Sequence, residues 1–123
     1  MIGKIYSTVF PYYDSKNQKN SFKKRPVLII GGPRNNDYTV LPISTVTQKA
    51  NLDSEYDLEI NPVNYPLLHL DKISYVRVHK QTTVHKVSLT SLIGDMKTEY
   101  ADLYLNVLEK LEEFNKITID NAL

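Results

Sequence analysis

At 123 residues the chain is the size of one domain, and folding at this length buries roughly two thirds of the surface that the unfolded chain exposes, so a single core is expected over residues 1–123. There is no cysteine, which excludes a disulfide framework and thiolate metal ligation and fits a reducing compartment. The formal net charge of +1 hides an asymmetry: residues 1–50 hold eight Lys or Arg against two acids, and residues 51–123 hold seven against twelve.

Lys4 to Phe10 (KIYSTVF) is rich in β-branched and aromatic residues and is stopped by Pro11, which predicts a first strand. Residues 14 to 22 (DSKNQKNSF) have the content of a long polar surface loop. Lys16, Lys19, Lys23, Lys24 and Arg25 fall within residues 16–25 with no acid among them, the local footprint of a surface facing phosphate; a solvated loop is the plain alternative. Tyr12 and Tyr13 flank one end of this segment and Phe22 the other, so bases of a single-stranded nucleic acid could stack there while lysines follow the backbone. Phe22 is equally suited to a core.

Val27 to Ile30 (VLII) is a continuous apolar run and predicts a strand covered on both faces. Gly31, Gly32 and Pro33, then Asn35, Asn36 and Asp37, make a turn cluster, so this strand and Tyr38 to Ser44 form a hairpin. Pro42 cannot donate to a ladder and is expected at an edge or a bulge. Tyr56 to Ile60 and Ile73 to Val78 read as further strands, with Thr82 to Val84 and Val87 to Leu89 as shorter candidates. The tail changes period: Tyr100, Leu103, Tyr104, Val107, Leu108, Leu111 and Phe114 lie on one helical stripe, with Thr98 as N-cap and Asp95 as the alternative. Five to seven short strands closed by a helix predict a mainly β, α+β domain: a small, strongly bent antiparallel sheet or open barrel with a C-terminal α-helix packed on it.

Three histidines raise the question of a metal. His69, His79 and His85 lack the spacing of a zinc-binding helix, so neither a metal nor a cofactor is expected. His79 and His85 could serve as an acid/base pair, although hydrogen-bonded surface histidines are the plainer reading. Arg25 stands immediately before Pro26, which biases its backbone to the extended region at the start of the buried strand. Its guanidinium can pair with two phosphate oxygens and stays charged. It is therefore suited to stabilising a phosphoryl transition state and unsuited to accepting a proton.

The order of these features resembles the MazF/PemK family of type II toxin-antitoxin endoribonucleases, within the wider MazF/PemK/CcdB toxin type of fold. The resemblance rests on RPVLII at Arg25 to Ile30, LPIST at Leu41 to Thr45 and TTVHKVSLTSLIG at Thr82 to Gly94, and extends over almost the whole chain. It implies a homodimer that cuts single-stranded RNA without a metal and is blocked by an antitoxin protein. The family's catalytic Arg before Pro and Thr at the end of the third strand carry over to Arg25 and Ser44, with Thr45 beside it as a second hydroxyl. Lys19, Lys23, Lys24, Tyr12, Tyr13 and Lys80 are the expected RNA contacts. Where the family commonly has an acid, Gln, an apolar residue, Arg and Thr before the Val, this chain has His79, Lys80, Gln81, Thr82 and Thr83. Its usual Asp-Lys is His85-Lys86, and its usual Arg before Leu is Ser88, so sequence preference does not carry over. A non-catalytic RNA-binding or protein-binding module of the same fold is the alternative function. The gyrase-poisoning CcdB type is disfavoured, because the chain has no Trp. The apolar run of a signal peptide is missing from Met1 to Ile5, and no stretch approaches the roughly 20 apolar residues of a membrane span, so a cytoplasmic protein is expected.

Overall fold

The computed structural model describes every residue except Thr47 and the side chain of Tyr12. Seven strands and a long helix follow in order: β1 (Lys4–Asp14), β2 (Lys19–Arg34), β3 (Asp37–Ser44), β4 (Asp57–Ile60), β5 (Ser74–Arg77), β6 (Thr82–His85), β7 (Leu89–Asp95), the one-turn α1 (Met96–Glu99) and α2 (Ala101–Ala122). All pairings are antiparallel, in the order β4-β5-β3-β2-β1-β7. The sheet curls strongly into a half-barrel. β6 lies off this path and pairs with the first half of β3.

The apolar run of β2 is buried on both faces, as its composition requires. Leu28 joins Ile5, Leu41, Ile43, Val76 and Val78 in a core closed by Met96, Leu103, Tyr104 and Val107 of the helices. Val27 and Ile29 point to the other face and pack with Tyr38, Val40 and Val84. Asn35 and Asn36 take positive φ in a two-residue turn joining β2 to β3, a conformation Asn tolerates because its short side chain bonds locally. At Gly32, φ is +99° and an added Cβ would lie 2.7 Å from the Asp37 carbonyl oxygen, so only glycine fits.

Several sequence-based expectations change. Residues 14–22 are not a long loop: β1 and β2 continue as a paired arm, with Asp14 opposite Lys19 and Pro11 opposite Phe22. Pro11 does not end β1 because β7 covers only Lys4 to Thr8, so from there outward one side of β1 is a free edge that needs no donor. Asp14 closes the short turn by accepting from the Lys16 and Asn17 backbone N–H groups and the Asn17 amide. Pro42 is on an internal strand, but it falls between the β6 partners of Asp37 to Val40 and the β5 partners of Ile43 and Ser44, where no ladder bond is needed on that side.

Lys86 to Ser88 form a 3-10 turn, stabilised by His85 accepting from the Val87 N–H, and the strand begins only at Leu89. Asp95 caps only the one-turn α1, its carboxylate accepting from the Thr98 N–H and hydroxyl, whereas α2, which carries the stripe, starts after Tyr100 with no side-chain cap. α2 runs two turns past the predicted stripe, aided by the Lys116–Asp120 pair. Leu103, Tyr104 and Val107 are buried, and Phe114 packs edge-on against Tyr56 with ring centroids 5.0 Å apart. Among the described residues no helix is long and apolar enough to cross a membrane.

Candidate nucleic-acid site at the end of strand β3

The antiparallel register of β2 and β3 pairs Val27 with Pro42 and Leu28 with Leu41. Continued by two residues, it sets Arg25 opposite Ser44. On the far side of each strand, Thr8 pairs with Arg25 and Tyr75 with Ser44, so Thr8, Arg25, Ser44 and Tyr75 form one row across four strands. Because β2 continues outward as the arm while β3 stops at Ser44, the end of β3 is a notch. Two adjoining clefts of roughly 270 and 320 Å³ meet there and share Arg25, Ser44 and Thr45.

One cleft is completed by Lys23, Lys24, Pro26, Ile43 and Ser74, and the other by Val46, Gln48, Asn51 and Arg77. Among the described residues, neither lining includes a carboxylate or an imidazole. Four cations and several hydroxyls thus surround a space with no negative charge of its own. Such a space attracts phosphate. Arg25 is half-buried and makes no side-chain hydrogen bond or ion pair among the described residues, so its fork remains available to a ligand.

The structure brings Arg25, Ser44, Thr45, Lys23 and Lys24 together. Lys19 lies farther along the arm, opposite Asp14. The Asp14 carboxyl is held below its ordinary range by hydrogen bonds from the Asn17 side chain and backbone and the Lys16 N–H, and by the nearby charge of Lys23. Tyr13 and Phe22 are exposed on the arm, so Phe22 is not core; they share the arm face of Lys24, whereas Lys19 and Lys23 share that of Arg25. The side chain of Tyr12 is outside the described residues. Lys80 is exposed in the 3-10 turn after β5 and lines neither cleft.

The histidines go elsewhere. His69 Nδ1 lies 2.6 Å from the Ile93 carbonyl oxygen, and His85 is at the far end of β6 opposite Asp37. His79 packs beside Phe114, with Nδ1 3.7 Å from Asp57 Oδ1. His79 and His85 are therefore separated by β6 and are no acid/base pair across one site.

Arg77 is the charged lining residue that sequence reasoning missed. It donates from Nε to Asp57 Oδ1 at 3.0 Å, and from Nη2 to Asp57 Oδ2 at 3.2 Å and the Asn51 carbonyl at 3.0 Å. The signal was present in the two alternating strands. Pairing Ile60 with Ser74 in a hairpin register puts Asp57 opposite Arg77. A larger open groove of about 540 Å³ follows α2 past Leu108, Leu111 and Ile119, but it shares no residue with these clefts.

Residues 2–114 match the family of PemK-like, MazF-like toxins of type II toxin-antitoxin systems, and the chain belongs to that family. Among solved structures it is similar to the Mycobacterium tuberculosis toxin MazF-mt6, with a TM-score of 0.59 over 95% of this chain and 96% of that one, at 20% sequence identity. That likeness extends to the fold. No curated protein matches.

Proposed function

We propose that this toxin is an endoribonuclease that cleaves single-stranded RNA without a metal, acts as a homodimer in the cytoplasm, and is restrained by an antitoxin protein that covers the cleft. The observation that carries the reading is the meeting of Arg25, Ser44 and Thr45 in one basic notch, produced by the register of β2 and β3. Arg25 binds the non-bridging oxygens of the scissile phosphate and the Ser44 hydroxyl donates to a phosphate oxygen, while Thr45 supplies a second donor. The substrate's own 2′-hydroxyl attacks phosphorus in line, and the bond to the 5′-oxygen breaks to leave a cyclic phosphate and a 5′-hydroxyl. The protein contributes orientation and charge stabilisation. With no carboxylate or imidazole among the described lining residues, the 2′-hydroxyl proton leaves to a phosphate oxygen or to water, and the departing 5′-oxygen takes a proton from that phosphate or from water. Lys19, Lys23 and Lys24 guide the RNA backbone, Tyr12 remains an expected base contact, and Tyr13 and Phe22 offer faces to bases of RNA that wraps to the other face of the arm. Lys80 contributes only at longer range.

The lack of a carboxylate or imidazole among the described lining residues favours a second reading, an RNA-binding module of the same fold without turnover. Both are tested by incubating the protein with a long single-stranded RNA in EDTA, beside Arg25→Ala and Ser44→Ala. Cleavage that is lost with Arg25 and leaves 5′-hydroxyl ends supports the nuclease. Equal cleavage by all three proteins would sink the site, and salt-sensitive binding without cleavage establishes the module.

A further inference from the structure

We infer that Tyr75 and Glu59 read a base of the RNA: Tyr75 is the platform for the base of a nucleotide adjoining the scissile phosphate, and Glu59 is the acceptor that selects guanine there. The inference rests on the RNA reading above. The cross-strand row through the notch does not end at Tyr75. On β4, Glu59 pairs with Tyr75, so Thr8, Arg25, Ser44, Tyr75 and Glu59 follow one another across five strands. Leu58, Ile60 and Val76 of the same two strands turn into the core. Alternation therefore puts Tyr75 and Glu59 on the opposite face, where Tyr75 is half-buried and Glu59 exposed.

One strand spacing separates Ser44 from Tyr75 and two separate it from Glu59, about 5 and 10 Å. A nucleotide extending from a phosphate held by Arg25 and Ser44 presents its parts in that order, with the base ring over Tyr75 and the far edge of the base at Glu59. A tyrosine ring offers its face to any base, so the platform is sequence-tolerant and selection falls to the edge. The Tyr75 hydroxyl donates to Glu59 Oε1 at 3.5 Å, a long bond that keeps the carboxylate beside the ring. Glu59 has no ion pair among the described residues, and its Oε2 has no hydrogen bond there. The neighbouring pair of the same two strands closes its carboxylate with a cation, Asp57 with Arg77; the Glu59 pair leaves its carboxylate open to a ligand. A carboxylate only accepts, so it favours a base edge with donors side by side. Guanine has two, N1–H and the 2-amino group, and can meet both carboxylate oxygens at once. Adenine and cytosine set one amino donor beside an acceptor nitrogen, and uracil sets one N–H between two carbonyl oxygens, which the carboxylate repels.

The test uses the full chain and a short RNA that wild type cleaves, with the base on either side of the cleaved linkage replaced in turn by guanine, adenine, cytosine, uracil or hypoxanthine, which lacks the 2-amino group. At one of the two positions guanine is expected to exceed adenine and hypoxanthine in kcat/KM by about 10- to 100-fold, the discrimination of one two-bond base contact. Glu59→Gln should bring the guanine-to-adenine ratio to within about threefold of unity, since an amide keeps only one acceptor. Tyr75→Ala should lower kcat/KM about tenfold whichever base is present, and Tyr75→Phe, which keeps the ring, should restore it. Melting curves establish which variants fold; Glu59 is exposed, so Glu59→Gln decides the matter even if Tyr75→Ala does not fold. Wild type without a guanine preference, or a preference that Glu59→Gln leaves intact, would overturn the inference while leaving the nuclease standing. Wild type that neither binds nor cleaves RNA would instead overturn the RNA reading, and this one with it. Should wild type bind without cleaving, the replacements are made along the whole RNA and dissociation constants decide in the same way.

Discussion

The cleft at the end of β3 has two walls, and they are held by different physics. On the β2 side, Arg25 makes no ion pair among the described residues, and its position follows from the buried strand Val27 to Ile29 that it precedes. On the β5 side, Arg77 is anchored by a carboxylate with no exposure to water. The difference teaches which wall tolerates change. Replacing Arg25 removes chemistry from a rigid support, whereas removing Arg77 also strands a charge, and a buried charge without its partner is among the most costly defects a fold can carry.

That comparison can be broken most forcefully at Arg77. Arg77→Ala is expected to cost about 4 kcal/mol of stability, read by urea unfolding, because Asp57 is left buried with only the Asp53 N–H as a close donor. A loss under about 1 kcal/mol would mean that water reaches Asp57. Arg25→Ala should do the reverse: unfolding changes by no more than about 0.5 kcal/mol, while RNA cleavage falls roughly 100- to 1000-fold, the effect of losing one preorganised donor to a phosphoryl transition state. Ser44→Ala, one neutral hydroxyl in the same notch, should slow cleavage about tenfold, near 1.4 kcal/mol, with stability unchanged. If Ser44→Ala equals Arg25→Ala in effect, the hydroxyl does more than hydrogen-bond.

The smallest expected effect lies at the tip of the arm. Asp14 has a lowered folded-state pKa, so its contribution to the turn is complete above its unfolded value of 3.8 and is lost as pH falls through the lower folded value. The Lys16 and Asn17 amide signals should therefore stay fixed from pH 7 to pH 5 and shift only in acid below about pH 4. The Asp53 turn beside the other wall behaves alike, since the Tyr56 and then the Glu55 N–H groups lower the pKa of Asp53. A turn that loosens near pH 6 would show that neither carboxylate closes it.

Where a feature is local, it could be read from the residues. The run VLII and the helical stripe each carry their period within a few positions and appear where expected, whereas the expected turn cluster of residues 31–37 narrows to Asn35 and Asn36, because Gly31 to Arg34 stay paired within β2. Arg25 was legible from its place before Pro26 and its guanidinium chemistry, and Ser44 only through the family resemblance; the register of β2 and β3 then sets them opposite each other. The arm was misread because polar composition measures the absence of a buried face and says nothing of whether two such segments pair. Asp57 and Arg77 are 20 positions apart, and their meeting depends on a β4–β5 pairing across an intervening segment.

The amino-acid order by itself determined the elements with strong period and the family, and singled out Arg25 as a group suited to a phosphate, because these depend on short-range patterning and on side-chain chemistry. Only the tertiary structure decided that β3 ends in a notch, that Lys80 and the histidines lie away from it, and that Arg77 forms its second wall. Those outcomes depend on which strands become neighbours and where each ladder stops. That is settled by the burial of the whole core at once, which no single segment encodes.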